Sequence, residues 1–292
     1  MKIKINKKVS LVLKLLITGF ALYFVFHKID MKELGQVLIH VNIPLVLVAA
    51  VAFVLSKVVS SFRLNQFLRD EGISLTEKFN LKLYWLGMYY NLFLPGGIGG
   101  DGYKVYLINK LTGVKVKFVL RAIFIDRVSG LLALVCLNIA LAYSLPIPSQ
   151  YKMYIWILIP LAIMAFYVVT KYFFSVYIKS FIRTNLQAFL VQVLQVISAF
   201  FILKAIGIND LYGQYLFVFL FSSVVATIPF TIGGVGAREV TFLIGAQYLG
   251  LQTEASLGLS LTFFLITAMV SLFGIYYSFH LPEAKLQKQP AK

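Results

Sequence analysis

Long apolar runs, broken at intervals by short basic segments, dominate the hydropathy pattern of this chain. A membrane span needs about 20 consecutive apolar residues. Six runs meet that length, near residues 9–27, 43–62, 122–145, 153–172, 186–206 and 256–279. Two further apolar regions, 79–110 and 213–249, are each interrupted in the middle by proline and glycine. These predict re-entrant hairpins: a helix enters, a non-helical turn sits at depth, and a second helix returns. Such a turn is tolerated at membrane depth only where protein or a water-filled cavity surrounds it. The 213–249 region also reads as two full spans. The fold class is therefore an all-α integral membrane protein with about six spans and two broken-helix hairpins, one domain over residues 1–292.

The two interruptions carry one signature. Pro95-Gly96-Gly97-Ile98-Gly99-Gly100-Asp101-Gly102-Tyr103-Lys104 and Pro229-Phe230-Thr231-Ile232-Gly233-Gly234-Val235-Gly236-Ala237-Arg238 both fit P-x-x-I-G-G-x-G-x-[K/R] without a gap. Three spans separate them. An odd number places the hairpins on opposite faces, so the chain is expected to hold an inverted repeat with halves near 43–145 and 186–279. Broken helices at matching places of two halves point to a transporter's binding site.

Composition narrows the class. The chain is 60% hydrophobic and 13% charged, against about 25% charged in soluble domains. No polar stretch is long enough for a separate soluble domain. The net charge of +16 sits in short loops, which is the positive-inside pattern and displaces a nucleic-acid reading. Cations gather on one side: Lys2, Lys4, Lys7, Lys8 and Lys14; Arg63, Arg69, Lys78 and Lys82; Lys104, Lys110, Lys115, Lys117 and Arg121; Lys171, Lys179 and Arg183; and Lys285, Lys288 and Lys292. The other side receives Lys28, Lys32, Lys152 and Lys204. Both termini are expected in the cytoplasm of a multi-pass cell-membrane protein. The basic start and first apolar run resemble a signal peptide, but the run ends Phe26-His27-Lys28 without a cleavage site and reads as a retained helix. Cys136 is the sole cysteine, and no metal-ligand spacing or cofactor motif occurs.

Candidate chemistry starts at the glycine runs. Helix N-termini offer free N–H groups and a positive dipole end. Gly99, Gly100 and Gly102 with Lys104, and Gly233, Gly234 and Gly236 with Arg238, read as two phosphate sites, or as small residues that permit tight packing. Asp101, Asp126, Arg127, Arg238 and Glu239 are charges within apolar segments. Such groups are functional candidates or self-contained ion pairs. Lys57 reads as snorkelling to the interface. Gln192, Gln195 and Ser198, at i, i+3 and i+6, share a helix face with Gln187 nearby; they line a cavity or bond to neighbouring helices. Asn91 is placed to brace the first turn.

Three ordered blocks resemble the lysylphosphatidylglycerol synthase transmembrane-region family: Asn91 to Asp101, Arg121 with Asp126-Arg127-Val-Ser-Gly130, and Ile228 to Glu239. The similarity covers essentially the whole chain. It implies a flippase-like domain that moves a modified phospholipid between leaflets, in a stand-alone member lacking the soluble synthase domain, so lysyltransferase activity is not expected. Lys104 stands where the first block is expected to carry Arg, which weakens bidentate phosphate binding there. The resulting expectation is a lipid translocase for a phospholipid, either aminoacylated phosphatidylglycerol or another phosphate-bearing lipid. Its partners are membrane lipid headgroups and a possible separately encoded lipid-modifying enzyme. The alternatives are a membrane-embedded transferase, with Arg121, Asp126 and Glu239 as its catalytic set, and a scaffold for such an enzyme. Oligomeric state is left open.

Overall fold

A computed structural model describes residues 41–93, 99–227 and 237–279. The described residues form helices and no strand: α1 (Ile43–Asp70), α2 (Glu77–Phe93), α3 (Gly99–Thr112), α4 (Val116–Leu141), α5 (Ser149–Phe173), α6 (Phe181–Ala205), α7 (Tyr212–Ala226), α8 (Ala237–Leu249), α9 (Thr253–Leu272) and α10 (Gly274–Phe279). Five stretches are long and apolar enough to cross a membrane: Ile43–Asp70, Val116–Ser144, Gln150–Phe173, Ser175–Ala205 and Thr253–Phe279. They correspond to five of the six runs read from hydropathy; the run at 9–27 lies outside the described residues. The protein is an all-α integral membrane protein. Its α5 is almost entirely uncovered, with Met153, Trp156, Ile157 and Phe173 more than half exposed, as suits a helix facing lipid.

The core is the α1–α6 pair, the most extensive helix contact among the described residues. Lipid tails give apolar helices no hydrophobic reason to associate, so close approach through small residues has to supply the contact. Both helices meet that need. Ala49, Ser56, Ser60 and Ser61 on α1, and Thr184, Ala188, Ser198 and Ala199 on α6, are all essentially inaccessible. The pair is antiparallel: the Asn42 N–H donates to the Ala205 carbonyl at 3.0 Å at one end, and the Ser180 hydroxyl donates to Asp70 at the other. Helix α4 packs on both.

The broken pairs enter this core from opposite ends. α2 starts where Glu77 meets Arg69 at 2.6 Å, beside the C-terminus of α1. After α3, Gly113 adopts φ +71°, and α4 brings Arg121 back to Glu71 at that same end. α7 starts at the other end, with Gly213 against Ser144. α8 returns there, where the Gln252 N–H donates to the Tyr215 hydroxyl at 3.0 Å.

Glycine sets the approach of α2 to α3. A Cβ on Gly100 would lie 1.9 Å from the Gly87 carbonyl oxygen and 2.9 Å from Asn91 Oδ1. Backbone cannot yield as a flexible side chain can, so Gly100→Ala is expected to cost about 3 kcal/mol by forcing the pair apart. Gly102→Ala is the matched control, since nothing lies within 4 Å of its added methyl. Thermal unfolding of the two purified variants checks this: a large downward shift for the first and little change for the second.

Candidate functional site

A cavity of about 230 Å³ lies where the two broken pairs approach one another. Lys57 of α1, Tyr84, Met88, Asn91 and Leu92 of α2, Arg238 and Glu239 of α8, and Phe264, Thr267 and Ser271 of α9 line it. Its size suits a polar headgroup and is too small for a whole lipid.

Arg238 comes into this cavity because α8 starts at Ala237, which puts it in the first turn. Its guanidinium lies over the rings of Phe219 at 5.6 Å and Phe263 at 5.1 Å. Its Nη2 donates to the Ser223 hydroxyl at 3.3 Å, while Nε is buried without a hydrogen-bond partner. An orphaned buried donor is costly, and an entering anion would relieve it. Glu239, the next residue, accepts from the Ser260 hydroxyl at 3.4 Å.

The cations of the first broken pair are already engaged. Lys104 reaches Asp101 at 3.1 Å and sits over the Tyr84 ring at 4.4 Å. Its side chain fills the space left by Gly87, where a Cβ would meet Lys104 Cε at 2.3 Å. Arg127 binds the other oxygen of Asp101 at 2.5 Å. The Gly100 N–H donates to Asn91 Oδ1 at 2.7 Å, which is the bracing expected of Asn91. The first half of the candidate set is therefore an ion-paired knot beside the cavity: Lys104 does not line the cavity, and the Gly100 amide has a partner. Gly99 opens α3, and Gly102 is exposed on its first turn. Gly233, Gly234 and Gly236 lie outside the described residues.

Asp126 pairs with Arg63 at 2.7 Å, both nearly inaccessible. Arg63 corrects the sequence reading, which placed it in a basic loop: α1 runs on to Asp70 and carries Arg63 inward. Lys57 is the second correction. It does not snorkel; it lines the same cavity as Arg238, with its ammonium 4.6 Å from the Phe53 ring centroid. A signal for both was present: Ser56, Ser60 and Arg63 recur at i, i+4 and i+7, a polar face on an apolar helix.

Arg121 stands apart, bound to Glu71 at 2.5 and 2.6 Å at the end of the bundle. Glu71 also accepts from the Tyr177 hydroxyl. Arg121 is 38% exposed but Glu71 only 2%, so Arg121→Ala leaves a buried carboxylate with Tyr177 as its remaining donor and is expected to cost about 2 kcal/mol. A lipid-binding titration on this variant should match the unmodified protein. On α6, Gln192 donates to the Gly130 carbonyl at 3.3 Å and Gln195 is half-buried. Ser198 is buried with its hydroxyl unpartnered. None of the three lines the Arg238 cavity, and Gln192 joins α6 to α4.

Comparison with known families identifies one match: the model described as lysylphosphatidylglycerol synthase TM region covers residues 11–274 of this 292-residue chain. That family suggests a membrane protein involved in lipid handling. No curated protein matches the chain.

Proposed function

The chain belongs to the lysylphosphatidylglycerol synthase transmembrane-region family, and from that premise we propose that it is a lipid translocase. The headgroup occupies the cavity of about 230 Å³ while the acyl tails stay in the bilayer. An apolar cleft on the outer side of the α7–α8 pair, lined by Phe217, Phe221, Ile244 and Tyr248, offers the tails a path.

One observation carries this reading. Broken helix pairs enter from opposite ends and leave a polar cavity between them, with Arg238 at its wall and its Nε orphaned. Opening at one pair exposes the cavity to one face; opening at the other exposes it to the opposite face. Residues 43–145 and 186–279 act as inverted halves, related through the antiparallel α1–α6 pair. In this reading the protein lies in the cell membrane with its N-terminus and C-terminus cytoplasmic. Neither glycine run matches the phosphate loop of a nucleotide-driven pump, G-x-x-x-x-G-K-[S/T]. Energy then comes from a lipid gradient, an ion gradient or a partner.

Leaflet-resolved assay of the purified protein in proteoliposomes tests the proposal. A translocase moves a labelled phospholipid across without altering it. A new lipid product would mean a transferase. Neither crossing nor conversion would leave the scaffold reading.

A further inference from the structure

The charges around the cavity do not balance. Arg63 is matched by Asp126, and Lys104 by Asp101. In the cavity wall, Lys57 and Arg238 face one acid, Glu239. Among the described residues that line the cavity, cations thus exceed anions by one. The Lys57 ammonium lies within electrostatic reach of Arg63, Lys104 and Arg238, all of its own sign. Among the described residues it forms no salt bridge. The tips joining the broken helices cannot supply the missing charge, since residues 94–98 and 228–236 contain no ionisable side chain. Unmatched charge in a low-dielectric interior is costly, and an anion placed between Lys57 and Arg238 removes that cost.

We infer that the headgroup carried in this cavity is a monoanionic phosphodiester bearing an uncharged, hydroxylated group, and that Lys57 of α1 and Arg238 of α8 hold its phosphate. The remaining polar lining, Tyr84, Asn91, Thr267 and Ser271, is neutral and suits hydroxyls. Asn91 uses Oδ1 on Gly100, which leaves its amide nitrogen to donate. A lysylated headgroup fits poorly: its two ammonium groups outweigh the phosphate at neutral pH and would enter a site already rich in cations. The inference rests on the translocase reading only in taking the ligand to be a lipid. It separates this chain's cargo from the aminoacylated lipid that the family's description names.

Binding tests it without transport. The purified full chain in phosphatidylcholine nanodiscs is titrated with phosphatidylglycerol, lysylphosphatidylglycerol and deacylated glycerophosphoglycerol, followed by native mass spectrometry. Phosphatidylglycerol is expected to bind at least 10-fold more tightly than its lysylated form. Lys57→Gln should remove at least 10-fold of that affinity, Lys57→Arg should keep it, and Lys57→Glu should reverse the preference. Tighter binding of the lysylated lipid, or a Lys57→Gln variant with unchanged affinity, overturns the assignment while leaving translocation standing. Equal binding of glycerophosphoglycerol assigns the site to a soluble phosphodiester and overturns the lipid as ligand. A folding failure of Lys57→Gln is met by Lys57→Met, which keeps the aliphatic stem over Phe53 and should show the same loss.

Discussion

Arg238→Met is expected to abolish lipid translocation while leaving the protein folded. Arg238 does two separable things. Its guanidinium plane packs over Phe219 and Phe263, which supports the α7–α8–α9 contact. Its side chain lines the cavity, with Nη2 on Ser223 and Nε buried without a hydrogen-bond partner. Methionine preserves much of the packing and removes the charge and all the donors. Removing one member of a desolvated charge pair costs about 3–4 kcal/mol, which lowers the affinity for an anionic headgroup several hundred-fold. Arg238→Ala is expected to lose transport too, with some packing lost in addition. The paired readout is translocation rate in proteoliposomes and elution profile in detergent. Normal transport by a folded Arg238→Met protein would remove this residue from the mechanism.

Asp126→Ala is expected to have the largest effect on stability. Arg63 and Asp126 lie between α1 and α4, with side chains 6% and 11% exposed. Arg63 Nη1 already lacks a partner, so Asp126 is its main compensation. Truncating one side of such a pair costs about 3–5 kcal/mol, because the other charge stays buried and unmatched. The double variant Arg63→Met/Asp126→Leu should recover most of that loss, since apolar replacement of both partners is often neutral. Thermal unfolding of the single and double variants decides it. A single variant as stable as the parent would show that the pair is not what holds α1 to α4.

Hydropathy made the spans and the two broken pairs legible, because membrane helices must be long, apolar and internally hydrogen-bonded. Lys104 meets Asp101 at i, i+3 within α3, but the pairing of Arg127 with Asp101 was not legible. It depends on α3 folding back against α4, a contact between residues 26 apart in sequence. Lys57 and Arg63 were misread for a related reason. A cation near the end of an apolar run looks the same whether it faces lipid headgroups or turns inward. Only the helix phase set by Ser56 and Ser60 distinguishes the two. Arg121 sat in a motif block with Asp126 and Arg127, yet its place on α4 directs it to Glu71 at the bundle end. Arg238 and Glu239, which line the cavity, stood out in the sequence because both sit at a broken helix within apolar surroundings, where a charge needs a reason.

The account stands on two broken helix pairs opening to opposite faces of the membrane. With Cys136 replaced, single cysteines at the exposed positions Lys78 and Lys110 bracket the first pair, and those at Asn209 and Gln252 bracket the second. An impermeant thiol reagent applied to sealed cells and then to inverted vesicles should label Asn209→Cys and Gln252→Cys only from outside, and Lys78→Cys and Lys110→Cys only from inside. Labelling of all four from one face, or of the two members of either pair from different faces, would contradict it.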